Sequence, residues 1–196
     1  MKEPLSILLY LGRIGTDKNI PDFIDITDQD IFKVTGKIFH KVLVGDGPRL
    51  EEYRKKYENS HVHFLGPYPH DQVGPFFRFA RLFVFPSTKD TFGNVMLEAG
   101  ASGTPILAYS GSDGSYEIGS QDCVFDGING IKVPYGRPLI DGLTLALTVD
   151  RQTCACFTAE KFSWTTSFKI FLENITPVKW KNGRAQNGSS ERRKFY

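Results

Sequence analysis

Six short apolar runs recur along the chain, at residues 5–11, 41–44, 62–65, 82–85, 105–109 and 131–133. Each is almost continuously apolar and rich in β-branched and aromatic residues, where a half-exposed strand would alternate. That pattern predicts strands covered on both faces, as in a parallel sheet. Between them lie segments with helical spacing: residues 48–58, with Leu50, Tyr53 and Tyr57 on one face, then 72–80 and 94–102. Strand and helix alternate, so the expected class is α/β, a doubly wound, mostly parallel open sheet of about six strands flanked by helices. Residues 22–37 are less regular and predict only a short helix and a loop. Beyond the sixth run, residues 138–147 and 163–174 read as amphipathic helices, the second with Phe168, Phe171 and Leu172 as its apolar stripe.

From residue 177 the composition turns to Lys, Arg, Asn, Gly and Ser, which predicts one domain over 1–176 and a basic, disordered tail over 177–196. The tail holds six basic residues and one acid, Glu191, leaving 18 basic and 21 acidic residues in the body. A body of net negative charge argues against a nucleic-acid-binding surface; for the tail, docking to an acidic membrane surface is the alternative to a solvated end. No apolar run reaches the roughly 18 residues that cross a bilayer, and no signal-peptide pattern follows the first run. The three cysteines, Cys123, Cys154 and Cys156, fit neither a disulfide framework nor zinc spacing, so a cytoplasmic protein, at most peripheral to a membrane, is expected.

The most informative stretch is FVFPSTKDTFGNVMLEAGASGTP, residues 83–105. A buried strand ends at Pro86-Ser87, a loop carries Asp90, and Gly93-Asn94 opens a helix that bears Glu98 and packs through Ala99, Gly100 and Ala101. Backbone N–H groups at a helix start, together with the macrodipole, favour phosphate, and Gly93 allows close approach. Asp90 and Glu98 thus flank one phosphate-binding end with acceptor oxygens suited to sugar hydroxyls. Alternatively, Asp90 only caps the helix and Glu98 is a solvated residue.

Arg13 and Lys18 in GRIGTDKN follow the first strand at the carboxyl edge, where open α/β sheets bind ligands, and would offset diphosphate charge without a metal. Val44-Gly45-Asp46-Gly47-Pro48 is a second strand-to-helix turn; Leu50 stands where a dinucleotide fingerprint needs glycine, which removes a nicotinamide-dependent reading. The turn reads as tight, with Pro48 at the first helical position. His40, His61, His63 and His70 lack zinc spacing. Asp28-Gln29-Asp30 has the Asp-x-Asp form of metal-dependent sugar transferases but reads better as a polar loop. No metal or cofactor is therefore expected.

In order along the chain, YLGRIGTDKN, KVLVGDGPRLEEY, VHFLGPYP, RLFVFPSTKDTFGNVMLEAGASGTPILAY and DGINGIKV resemble the carboxyl-terminal, donor-binding lobe of family 4 retaining glycosyltransferases. The resemblance covers roughly residues 7–174. It implies a single Rossmann-like lobe of the two-lobed GT-B fold and a nucleoside diphosphate sugar as substrate. Carried over residue by residue, Arg13 and Lys18 contact the donor diphosphate, Asp90 the donor sugar and Glu98 the ribose hydroxyls. Gly12, Phe64, Leu65, Phe92, Gly93, Asn94 and Val95 line the rest of the donor site. Two departures stand out: Asp90 replaces the commoner glutamate, and residues 111–125 are longer than the usual link.

The resemblance further implies an amino-terminal acceptor-binding lobe, or a separate subunit in its place, to complete the cleft. The isolated chain is then expected to be inactive. The expected function is the donor-binding half of an enzyme that transfers a sugar to a glycan, glycolipid or protein-linked acceptor. The alternative is a nucleotide-sugar-binding module, or subunit of a split transferase, without activity of its own.

Overall fold

The computed structural model describes residues 6–90, 92–111, 120–166, 179–181 and 184–186. Six strands, β1 (Ile7–Leu11), β2 (His40–Val44), β3 (Val62–Gly66), β4 (Leu82–Phe85), β5 (Ile106–Ser110) and β6 (Gly130–Pro134), form one sheet in the order β3-β2-β1-β4-β5-β6. Every pairing in it is parallel. All six match the apolar runs within two residues. Their continuity has a direct cause: along β1, Leu8 and Tyr10 join the core on one face of the sheet while Leu9 joins the core on the other. The same division separates Leu43 from Val42 and Val44, and Val84 from Phe83 and Phe85.

On the first face pack α1 (Ile20–Ile24), α2 (Asp28–Thr35), α3 (Leu50–Tyr57) and α7 (Ile140–Thr148), through Phe23, Ile31, Tyr53 and Leu143 among others. On the second lie α4 (Gly74–Phe79), α5 (Asn94–Ala101) and α6 (Ser120–Cys123), through Phe77, Met96 and Cys123. Residues 22–37 therefore depart from the expected short helix and loop: they hold the end of α1 and all of α2. The connector between those helices is pinned by Lys41, whose buried ammonium donates to the carbonyls of Ile24, at 2.8 Å, and Ile26.

A further helix, α8 (Arg151–Lys161), was not anticipated, because among its residues only Cys154 and Thr158 are buried. Its partner is the small-residue face of α5: a Cβ added at Gly100 would lie 2.6 Å from the Thr158 hydroxyl oxygen. Ala99 and Gly100 are buried there as expected, whereas Ala101 is exposed. The chain divides into two compact units after Glu160. In the second, β7 (Lys179–Lys181) pairs antiparallel with β8 (Arg184–Gln186), within the stretch expected to be a disordered tail. Phe168, Phe171 and Leu172 lie outside the described residues. Among the described residues no helix is long and apolar enough to cross a membrane.

Candidate functional site

The strand order reverses direction between β1 and β4, and the crevice outside the carboxyl ends of two such strands is where open α/β sheets bind ligands. A cavity of about 340 Å3 opens there, lined on the β1 side by Tyr10, Leu11, Gly12, Arg13 and Lys18. Its other wall is Phe85, Asp90, Gly93, Asn94 and Val95. Of the residues singled out in the sequence, Gly12, Arg13, Lys18, Asp90, Gly93, Asn94 and Val95 thus converge on one site.

Each wall is shaped by backbone. Gly93, the N-cap of α5, has φ 74°, a left-handed conformation that glycine adopts without strain, and no side chain caps the helix. Asn94 and Val95, whose amides have no intrahelical acceptor, therefore line the cavity, and no acid occupies the first turn. This overturns the capping alternative for Asp90. On the β1 side the loop is buttressed by the glycine turn after β2. Gly12 N–H donates to Val44 O at 3.0 Å, Ile14 N–H to Asp46 O at 2.8 Å, and Arg49 N–H to Ile14 O at 3.1 Å. Pro48 is not at the first helical position, since α3 begins at Leu50 with Arg49 as its N-cap. The turn supports the loop above β1 and does not line the cavity.

The two walls are tied across the reversal point. Lys18 Nζ lies 2.8 Å from both Asp90 oxygens, and Asn19 Nδ2 donates to Pro86 O at 3.3 Å and Thr88 Oγ1 at 3.2 Å. Arg13 donates to Asp17 Oδ2 at 2.6 Å. Partial burial acts to raise the Asp17 pKa, but the backbone N–H of its own residue, Lys18 and Arg13 outweigh it and hold the carboxyl below the usual range. Tyr10 donates its hydroxyl to Arg13 O at 2.7 Å, fixing the loop from beneath. Burial, and then the charges of Asp90 and Asp17, push its phenol pKa upward, so it remains a neutral donor. Tyr10, Asp17, Asn19 and Phe85 were missed in the sequence. Asp17, four residues after Arg13 in a loop, was the legible one.

Four expected site residues do not line this cavity. Glu98 is deeper in α5, partly exposed, with Oε1 3.3 Å from His70 Nε2, and of the two carboxylates only Asp90 lines the cavity. Phe64 is buried in the first-face core, and its carbonyl accepts from Arg54 at 3.1 Å. Leu65 and Phe92 are exposed, and Phe92 O accepts from the Cys123 thiol at 3.0 Å. Any ligand contact at position 64 is thus limited to backbone.

The other candidates resolve elsewhere. Asp28-Gln29-Asp30 is the first turn of α2 rather than a loop: Thr27 accepts from Asp30 N–H at 3.1 Å, and Asp28 pairs with His61 at 2.6 Å. His40, His61 and His63 cluster at the amino ends of β2 and β3, away from the cavity. Among the described residues no group of three or more His, Cys, Asp or Glu side chains is arranged to hold a metal ion. Cys123 and Cys154 are buried thiols pushed up by that burial to about 12 and about 11, which suits packing rather than nucleophilic chemistry. A larger cavity, about 420 Å3, lies beside Asp22, Asp25, Asp30, Tyr109, Tyr135 and Arg137. Its acids outnumber its one cation, which is itself paired with Asp141, so it is a poor match for an anionic ligand.

Known proteins agree with this architecture. The family model described as glycosyl transferases group 1 matches residues 6–145. The alpha-monoglucosyldiacylglycerol synthase of Streptococcus pneumoniae is 32% identical over 106 residues, 52% of this chain and 24% of that protein. The D-inositol 3-phosphate glycosyltransferase of Streptomyces scabiei is 36% identical over 122 residues, 59% of this chain and 26% of that protein. The chain thus matches about a quarter of the length of these relatives. In fold, the apo lipopolysaccharide outer core galactosyltransferase WaaB superposes with a TM-score of 0.70 at 20% identity, over 88% of this chain and 49% of WaaB. The C-terminal domain of the Francisella tularensis group 1 glycosyl transferase LpcC superposes with a TM-score of 0.62 at 20% identity, over 81% and 87% of the two chains. On the extent of the family match, the chain belongs to the group 1 glycosyl transferases.

Proposed function

We propose that this domain is the donor-binding half of a retaining glycosyltransferase that uses a nucleoside diphosphate sugar. One observation carries the reading: Arg13, Lys18 and the uncapped start of α5 converge on a single cavity at the reversal point of the sheet. A diphosphate is the ligand those three features suit together, because a guanidinium, an ammonium and aligned amides each stabilise phosphate oxygens. Asp90, on the same wall, supplies acceptor oxygens for the donor sugar. Glu98, with Leu65 exposed at the end of β3, supplies the ribose and base end of the site.

In the transfer, the bond from the anomeric carbon to the diphosphate oxygen breaks as the acceptor oxygen bonds to the same carbon from the same face. The acceptor's proton passes to the departing phosphate oxygen. Charge accumulates on the leaving diphosphate, and Arg13, Lys18 and the α5 amides are fixed where it develops. The acceptor is held by a second lobe, an arrangement supported by the C-terminal-domain likeness to LpcC and by the fraction of each relative that this chain matches. Transfer by this chain alone is expected to be undetectable, since orientation of the nucleophile accounts for several kcal/mol of such a barrier.

Calorimetric titration of the chain with a panel of nucleoside diphosphates and their sugars, with and without a chelator, tests the reading. Binding that survives chelation and weakens about tenfold or more in Lys18→Met supports it, as expected for losing a charge-assisted contact. No binding across the panel, or binding that requires a divalent ion, contradicts it.

A further inference from the structure

Lys18 has three N–H donors, and its ammonium is already engaged by two carboxylates in this structure. Asp90 takes two, with both oxygens at 2.8 Å, and Asp17 Oδ2 stands 3.5 Å from the same nitrogen. Asp17 also holds Arg13, at 2.6 Å. Two cations and two carboxylates form a closed network whose charges sum to zero. Lys18 is only 13% exposed, held among these carboxylates at the cavity wall. A phosphate entering the cavity therefore competes with these carboxylates for Lys18.

Asp17 differs from the other three members: it does not line the cavity and meets the cations from outside it. The loop is built for that contact. A Cβ at residue 15 would lie 2.7 Å from Asp17 Oδ1 and 3.0 Å from Arg13 Nη1, so the pair packs directly over the backbone of Gly15.

Building on the donor-site reading above, we propose that Asp17 is a positioning residue acting through Arg13 and Lys18: an internal anion that competes with the bound diphosphate and hastens its release. The role is distinct from that of a phosphate or sugar contact. It makes two signs opposite. Removing the Asp17 charge loosens the folded loop, whose ion pairs hold that carboxyl below its ordinary pKa, yet it frees both cations for the ligand.

The test is Asp17→Asn, of the same size and without the charge, titrated with the nucleoside diphosphate that the wild-type chain binds best and with the corresponding nucleoside. The expected result is about fivefold tighter diphosphate binding, with slower dissociation, unchanged nucleoside binding and a lower thermal midpoint. Asp17→Glu, which restores the charge, returns affinity toward wild type, and the gain in Asp17→Asn fades at high salt. Tightening is the diagnostic readout, because mere damage to the loop weakens a ligand. Equal or weaker binding in Asp17→Asn, with the wild type still binding, overturns the proposal and leaves Asp17 as a loop buttress. Absence of binding by every chain overturns the donor-site reading itself.

Discussion

Gly45→Ala tests whether the turn after β2 exists to support the phosphate-facing loop. Gly45 has φ 139°, and a Cβ there would lie 1.9 Å from Gly12 O and 2.9 Å from Gly12 C, where atoms belonging to ordinary side chains stay beyond 3.0 Å. The obstacle is backbone, so the two segments must part by about 1 Å. Parting them strains Gly12 N–H to Val44 O and Gly45 N–H to Gly66 O, at 3.0 and 2.8 Å. The unfavourable φ costs about 1–3 kcal/mol. Displacing a packed neighbour costs a further amount of about 1–3 kcal/mol. A mid-range loss of about 3–4 kcal/mol corresponds to a fall of roughly 6–16 °C in midpoint for a domain of this size. Gly36→Ala is the control: its φ is 68°, but nothing lies within 4 Å of the added carbon, so it carries the conformational cost of about 1–2 kcal/mol alone. Urea and thermal unfolding of both variants give the difference, and diphosphate titration reports the loop. If Gly45→Ala costs no more than Gly36→Ala, or leaves diphosphate affinity unchanged, the buttressing argument is wrong.

Asp90→Asn is expected to leave bare nucleoside diphosphate affinity equal or improved, since Lys18 is released, while the sugar nucleotide loses about 1–2 kcal/mol for one charge-assisted bond; equal weakening of both ligands would mean that Asp90 serves the loop. Glu98→Ala should cost every nucleotide about 1.5–3 kcal/mol, a range set by hydrogen bonds to charged groups, and unchanged calorimetry would remove it from the site. Acidification should destabilise the fold through His40, whose pKa is lowered by burial and then by His63 and His61, against the opposing pull of Asp28. The unfolded chain then binds the proton more readily, so His40's contribution is full above its ordinary pKa and falls as pH drops through and below about 6.5. Thermal midpoints measured from pH 7.5 to 5 should decline less steeply in His40→Gln, and identical slopes would refute the assignment.

The sheet was legible because burial on both faces leaves a mark that single residues carry: Leu8 and Leu9 must both be apolar when each faces a different core. What escaped was held by contacts distant in sequence. Helix α8 has few apolar residues because its seat is a glycine on α5, and α2 declares itself mainly through a Thr27 cap. At the site, Gly93, Arg13 and Lys18 were readable because phosphate chemistry demands those residue types. The ion pairs were not, since Lys18 and Asp90 meet across 72 positions. Nor does a sequence tell that Phe64 turns into the core while its neighbour Leu65 faces outward.

The central claim is that a nucleoside diphosphate sits at the reversal point of the sheet, between the loop after β1 and the start of α5. The most direct measurement is a titration of isotopically labelled chain with nucleoside diphosphate, followed through its backbone amide resonances. The account predicts the largest shifts at Gly12, Arg13, Lys18, Gly93, Asn94 and Val95, with all of them lost when Arg13 and Lys18 are both replaced by Met. Shifts centred instead on Asp22, Tyr109 and Tyr135, around the larger cavity, would contradict it.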